Sequence, residues 1–313
     1  MPRSGFVSLL GRPNAGKSTL LNQLVGAKLA IVSDKPQTTR TRILGVKHIE
    51  TGDTKGQIVF VDTPGVHRPL HRMNVRMVDA AVQSARDVDI VCLVVDASER
   101  TGAGSRYLLE LLEQSRKPVV LVLNKIDLMT KARLLPVIDW YRQQRSFIDI
   151  VPISARSGDG VDKLTGVLLS HLPEGTPMFP DDYLTDQPER TLAAEMVREQ
   201  VLAYTREELP FTTAVVVDQF EEPEKTKGVL RLYCSILVEQ DSQKPIIIGR
   251  AGEMIKKIGT AARQELETFF ETRVYLDLHV KVKPDWREDE RILDDLGVDK
   301  GRRGRKPGRS GAR

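Results

Sequence analysis

The chain has 313 residues, 40% hydrophobic and 29% charged, with two cysteines and a formal net charge of +4. That gives room for two domains, each with its own core, and a soluble globular composition. It excludes a bilayer-spanning run and a metal site built on cysteine; Cys92 and Cys234 sit in apolar runs and read as buried small hydrophobes. The N-terminus leads straight into a strand-like run, so no signal peptide is expected, and a reducing cytosol fits.

Phe6–Leu10 predicts a buried strand and Thr19–Val25 a helix. Between them stands Gly11-Arg12-Pro13-Asn14-Ala15-Gly16-Lys17-Ser18, a G-x-x-x-x-G-K-S pattern in strand–loop–helix context. Gly11 and Gly16 permit the turn that aims successive N–H groups at a polyphosphate, and the helix that opens at Thr19 adds its positive dipole end. Lys17 would reach the outer phosphates and the Ser18 hydroxyl would bind Mg²⁺. Ser33–Arg42 follows as a polar loop without helical periodicity. A threonine hydroxyl there would complete the Mg²⁺ shell only while a terminal phosphate is present, and Thr39 is preferred to Thr38.

Strand-like runs at Gln57–Val61, Ile90–Val95, Pro118–Leu123 and Asp149–Ile153 alternate with helical patterns at Met73–Arg86, Ser105–Gln114, Leu134–Arg145 and Val161–Leu169. Alternation of this kind predicts a largely parallel sheet, with ligands bound beyond the carboxyl ends of its strands. Asp62-Thr63-Pro64-Gly65 falls at one such end. Asp62 can hold the Mg²⁺ shell, usually through water, and Gly65 can offer its N–H to the terminal phosphate. Asn124-Lys125-Ile126-Asp127 falls at another. The Asp127 carboxylate can accept from two adjacent donors of guanine that adenine lacks, Asn124 can complete the base contact, and the Lys125 stem can cover the purine face. Ser154 and Ala155, after Ile153, are small enough to let backbone N–H groups approach the base oxygen. Together these residues predict GTP rather than ATP.

With the motifs in this order, residues 5–172 resemble the translation-factor class of P-loop GTPases, and Asn14 and Gln37-Thr38-Thr39-Arg40 resemble the Era branch and its relatives. The resemblance implies hydrolysis of GTP with Lys17, Thr39 and Gly65 as catalytic groups, and Ser18, Thr39 and Asp62 around the metal. Small signalling GTPases carry a water-orienting Gln at the position of Val66, so here the water must be placed otherwise, by backbone groups of the switch loops; His67 reads as a solvated loop histidine in preference to a base. Asn14 is by resemblance a candidate K⁺ ligand standing in for an arginine finger. Such neutralisation is worth ~10³–10⁵ in rate when arginine supplies it, so intrinsic turnover is expected to be slow.

Leu172–Asp182 holds three prolines and a glycine and predicts a stiff, extended connector. A helix through Leu192–Leu209 and strands at Thr213–Phe220 and Val229–Glu239 follow, joined by the hairpin-type loop Glu221–Lys227. Then Pro245-Ile246-Ile247-Ile248 leads into Gly249-Arg250-Ala251-Gly252 and a helix Glu253–Ile258, before a second helix Ala261–Phe270 and a last strand Arg273–Val282. A G-x-x-G so placed is the loop by which KH domains hold about four nucleotides of single-stranded RNA. Its glycines let a sugar-phosphate backbone lie on the main chain. Arg250, Lys256, Lys257 and Arg263 would surround it with positive charge, and Ile246, Ile247 and Ile248 would line an apolar base groove. Tyr233, Phe211 and Tyr275 are candidates for base stacking, and Trp286–Arg291 is expected to begin a helix packed back on the fold.

A P-loop GTPase domain joined to a KH domain resembles the Era family over residues 5–298. The expected fold is α/β: a G domain with mostly parallel sheet at 1–172, a linker at 173–188, and a smaller α+β type II KH domain with a C-terminal helix at 189–298. The resemblance implies GTP/GDP, Mg²⁺ and K⁺ as ligands. It implies small-subunit (16S) ribosomal RNA and the 30S subunit as partners, and a cytoplasmic monomer that also touches the inner face of the cell membrane peripherally. Nucleotide state is expected to gate RNA binding. Beyond the family pattern, residues 299–313 set seven Lys and Arg against Asp299, a surplus of six that leaves the rest of the chain at −2. This tail is expected to be disordered and to attract polyanions, RNA or anionic lipid alike, without reading sequence.

Overall fold

The computed structural model describes residues 1–35, 38–51, 54–66, 72–113, 115–206, 209–223 and 228–297. The basic tail, His67 and the hairpin tip at 224–227 lie outside the described residues, as does the side chain of Phe211.

Among the described residues the first domain forms a six-stranded sheet in the order β2-β3-β1-β4-β5-β6. Its strands are β1 Arg3–Leu10, β2 Ile43–Thr51, β3 Thr54–Asp62, β4 Ile90–Asp96, β5 Val119–Asn124 and β6 Asp149–Pro152. Its helices are α1 Lys17–Val25, α2 Arg72–Arg86, α3 Ala103–Glu113, α4 Lys131–Gln144 and α5 Val161–His171. All pairs are parallel except β2 with β3. Strand β4 is apolar without alternation because both faces of the sheet are covered: Cys92 and Val94 meet α1 and α5, whereas Leu93 and Val95 meet α2, α3 and α4. Burial pushes the thiols of Cys92 and Cys234 up, which keeps them as unreactive packing groups. Parallel pairing brings the carboxyl ends of β1, β3, β4, β5 and β6 to one rim, and the phosphate and base motifs leave from that rim.

Strand β2 is an element the sequence does not announce. Its four residues Ile43–Val46 are followed by Lys47 and His48, which give neither alternation nor a long apolar run. The proline-rich connector, expected to be extended, is also docked. Val46 N–H donates to Leu184 O at 2.8 Å and the Thr185 hydroxyl to Leu44 O at 2.6 Å, so the connector runs along the outer edge of β2. The buried Gln57 amide holds the backbone of Met178 and Phe179, and stacked Phe179 and Tyr183 cover Leu44, Val46 and Val59. A free strand edge is thereby closed.

The second domain comprises α6 Glu189–Tyr204, α7 Leu209–Thr212, β7 Ala214–Glu221, β8 Val229–Val238, α8 Lys244–Ile248, α9 Glu253–Phe269, β9 Arg273–Val282 and α10 Glu290–Asp295. Its sheet runs β7-β8-β9, antiparallel then parallel. Leu230, Leu232, Cys234, Ile236 and Val238 line one face of β8 at period two and meet Met196 and Val201 of α6 and Ile258 and Leu266 of α9. Three expected boundaries change. The helix read to Leu209 stops at Tyr204, where the Thr205 hydroxyl turns back onto Val201 O at 2.6 Å. The two helices read at 253–258 and 261–270 are one, α9, because Gly259 does not break it; a Cβ there would meet Leu278 of β9 at 3.4 Å, an ordinary contact. The first helix of the pair is instead the apolar run itself, α8.

The domains pack through Met77 of α2, Leu237, Trp286 and Leu293. Trp286 precedes α10, is fully buried, and donates from Nε1 to Thr212 O at 2.8 Å.

Candidate functional site

The turn after β1 accepts no larger residues at its glycines. A Cβ on Gly11 would lie 2.3 Å from Val94 O, and one on Gly16, at φ +89°, would lie 2.2 Å from Asn124 Nδ2. Helix α1 therefore begins at Lys17 with its amino end open to the rim. Lys17 is buried, its Nζ donates to Arg12 O at 3.1 Å, and burial lowers its pKa against the opposing charge of Asp62. Arg12 itself turns away to Glu99, 2.7 Å distant.

Behind Lys17 lies an all-oxygen cluster. Ser18 Oγ is 2.6 Å from Thr39 Oγ1 and donates to Asp62 Oδ2 at 2.9 Å. Burial pushes Asp62 up to about 6 against Lys17 and the hydroxyls, and its Oδ1 is buried without a partner among the described residues. These groups fit a hard divalent cation. Among the described residues no three His, Cys, Asp or Glu group around a metal, so the remaining ligands would come from phosphate and water. The structure places Thr39 at this cluster, while the Thr38 hydroxyl donates to Lys35 O at 2.6 Å. Asn14, at φ +62°, reaches the same loop through Asp34 O at 2.7 Å.

One expected contact is corrected here. Val66 turns its side chain into the apolar cluster of the sheet and its N–H to Gly11 O at 3.1 Å, so it brings no polar group to the phosphates. Gly65 lies beside the turn, where a Cβ would come within 2.8 Å of Pro13.

On the base side, Asn124 is a strut. Its Nδ2 donates to Ala15 O at 2.8 Å and its Oδ1 accepts from Ala155 N–H at 2.9 Å, which joins the phosphate turn to the loop after β6. These bonds use one of the two N–H donors of Nδ2 and one lone pair of Oδ1, which leaves Asn124 a second donor and a second acceptor site, while the Ala155 N–H is taken up by the strut. Ser154 turns its N–H to Asp159 O and its hydroxyl to Ser157 N–H. Lys125 takes φ +65°, and its Nζ sits 2.7 Å from Asp96 Oδ2 at the end of β4. Sequence reasoning missed Asp96, whose signal is a carboxylate ending an apolar strand at the motif rim. Asp127 follows, exposed in a tight turn.

In the second domain Gly249, Ala251 and Gly252 all have positive φ, and Gly252 opens α9. A Cβ on Gly249 would meet the Met254 backbone at 2.7 Å, whereas one on Gly252 would meet nothing within 4 Å. The main chain at Gly252 is thus open to a ligand. The three isoleucines do not share a groove: Ile247 is core, Ile246 is exposed, and Ile248 packs at the core's margin. The groove lies instead between α9 and β9, about 410 Å³, lined by Ile255, Lys256, Gly259, Arg263, Tyr275 and Leu278. Tyr275 is half exposed there, with Tyr233 5.9 Å behind it. Lys257 faces the other flank of α9 beside Tyr204, and Arg250 is exposed in the loop.

The contact between the domains touches the phosphate loops. Arg40 donates to Thr213 O at 2.8 Å and lies over the Trp286 ring, 5.3 Å from its centre. Burial, and then the charge of Arg198, push Arg40 down to about 9. Arg76 of α2 meets Asp294 at 3.5 Å.

A family model described as 50S ribosome-binding GTPase matches residues 6–125, and one described as KH domain matches residues 208–287. GTPase Era of Geobacter metallireducens is 50% identical over 295 residues, covering 94% of this chain and 97% of that protein. GTPase Era of Heliobacterium modesticaldum is 45% identical over 297 residues, with 95% and 97% covered. The solved structure of an Era in complex with MgGDPNP and nucleotides 1506–1542 of 16S ribosomal RNA superposes with a TM-score of 0.91 at 40% identity, over 95% of this chain and 99% of that one. A variant of Aquifex aeolicus Era bound to GDP and AlF₄⁻ gives 0.89 at 41% identity, with the same coverage.

Proposed function

Because the chain belongs to the Era family of GTPases, we propose that its two domains form one device, in which GTP bound to the first decides how the second grips small-subunit ribosomal RNA. The protein is a GTP-binding and GTP-hydrolysing enzyme with an RNA-binding KH domain. The observation that carries the coupling is the seat of the second domain, which rests on both the loop bearing Thr39 and helix α2.

Guanine nucleotide would lie along the strand rim. The amino end of α1 and Lys17 would meet its phosphates, Ser18, Thr39 and Asp62 would hold Mg²⁺, and Asp127 would read the base. When bound, Mg²⁺ neutralises charge on the transferring phosphoryl group. Lys17 and the backbone after Gly11 hold the phosphates in line, and the Thr39 hydroxyl closes the site. Val66 offers no water-orienting group, which fits slow intrinsic turnover. Asn14, whose Nδ2 donates to Asp34 O, is our candidate K⁺ ligand through its amide oxygen: hydrolysis is expected to run faster in K⁺ than in Na⁺, and Asn14→Ala to remove the difference.

The solved Era complex holds nucleotides 1506–1542 of 16S ribosomal RNA. For this chain we propose the corresponding 3′ strand as ligand, its backbone over Gly252 and its bases along Tyr275, Ile255 and Leu278, in the service of 30S maturation. A monomer in the cytoplasm suffices for this. The charge of residues 300–313 would supply a peripheral contact with anionic membrane; among the described residues no helix is long and apolar enough to cross one. The test is titration of a 3′-terminal rRNA fragment with the protein loaded with a non-hydrolysable GTP analogue, with GDP, or empty. A difference of about tenfold, the usual scale of coupling between sites, is expected. Equal capture in all three states overturns the coupling.

A further inference from the structure

Thr39 stands between two residues that the second domain holds. On one side, Arg198 of α6 is 1% exposed and donates from Nη2 to Thr38 O. Glu195, one turn earlier, fixes that guanidinium with two hydrogen bonds of 2.8 and 2.6 Å. On the other side, Arg40 is anchored on Thr213 O and the Trp286 ring. Helix α6 also grips the start of the loop: Glu199 accepts from Val32 N–H at 3.1 Å and pairs with Lys28 at 2.5 Å, and Lys28 reaches Glu265 of α9 as well. With both neighbours pinned, Thr39 has little freedom to swing from Ser18.

We propose that Arg198 is a positioning residue for GTP hydrolysis: by gripping the Thr38 carbonyl it holds the Thr39 hydroxyl at the Ser18–Asp62 cluster. The inference rests on Thr39 being the group that senses Mg²⁺ and the terminal phosphate. A charged donor excluded from water makes a strong hydrogen bond to a carbonyl. The planar fork of arginine can serve Glu195 and Thr38 together, which the single ammonium of lysine does less well. The loop that closes the phosphate site is thus held shut from the RNA-binding domain, and any movement of α6 is passed to it.

The test is single-turnover GTP hydrolysis by the full chain across a Mg²⁺ titration, for wild type, Arg198→Met, Arg198→Lys, Thr39→Ala and the double variant Thr39→Ala/Arg198→Met. Arg198→Met is expected to raise the half-saturating Mg²⁺ concentration about tenfold, the scale of one charge-assisted hydrogen bond, with GDP affinity unchanged. Arg198→Lys should recover part of that loss. The double variant should be no worse than Thr39→Ala, because both act on one group. The proposal is overturned if Arg198→Met weakens GDP and GTP alike, or if its effect adds in full to that of Thr39→Ala. If Thr39→Ala leaves the Mg²⁺ dependence untouched, the sensor reading falls and the proposal with it. Should Arg198→Met fail to fold by circular dichroism, Arg198→Lys is judged by the same criteria.

Discussion

Asn124 and Asp127 lie three residues apart, yet burial separates their tasks. Asn124 is 2% exposed and bonded to both Ala15 and Ala155, whereas Asp127 is open to a ligand. Asp127→Asn should therefore change chemistry rather than stability. An amide presents a donor where the carboxylate accepted, so preference is expected to move from guanine toward xanthine nucleotides, as competitive binding of GTP and XTP would measure. Asn124→Ala should instead lower the melting temperature, since it removes two buried hydrogen bonds worth ~1 kcal/mol each and leaves their partners unsatisfied. At Lys17, whose ammonium is already buried beside Asp62, substitution by Ala should abolish nucleotide binding; micromolar affinity surviving in calorimetry would contradict the phosphate assignment.

Among the elements, those that carry a motif were readable before any coordinates, because turn chemistry is local. The phosphate turn needs glycine at two fixed places, and the KH loop needs it where a helix opens onto a ligand. Gly252→Asp tests the second: with no atom within 4 Å of a Cβ, the carboxylate would stand where RNA phosphate should lie. RNA affinity in filter binding should fall by more than tenfold, about the effect of a misplaced charge at an interface, with GTP binding intact. What sequence could not give were elements fixed by distant partners. Strand β2 exists because β3 on one side and the connector on the other complete its hydrogen bonds. Helix α9 runs through Gly259 because Ile258, Ala262 and Leu266 on either side of it share one buried face against the sheet. Ile247 alone of three isoleucines is buried because α8 is a helix, which turns its neighbours away from the core. Arg198 leaves no mark in any motif, since its partner Thr38 is remote in the chain, and Asp96 shows only as a carboxylate ending an apolar strand, its partner Lys125 lying on the next strand's loop.

For the whole molecule, Trp286 is the joint. Its ring meets Arg40 from the phosphate loop, its N–H meets Thr212, and Met77 of α2 packs in the same cluster. Trp286→Ala should cost about 3–5 kcal/mol of stability, the range for buried aromatics. Calorimetric melting measures that loss, and small-angle scattering should show a larger radius of gyration as the domains part. A fixed radius alongside a lowered melting temperature would mean that Trp286 stabilises the second domain without joining it to the first.

The strip of connector along β2 also has a consequence for biosynthesis. A chain leaves the ribosome amino end first, and domains fold in that order. Every strand of the first sheet is therefore synthesised before Leu184 and Thr185, which close its outer rim through Val46 and Leu44. Until those two residues follow, nothing of the chain's own is there to cover the unpaired edge of β2, the kind of edge that invites pairing with another chain.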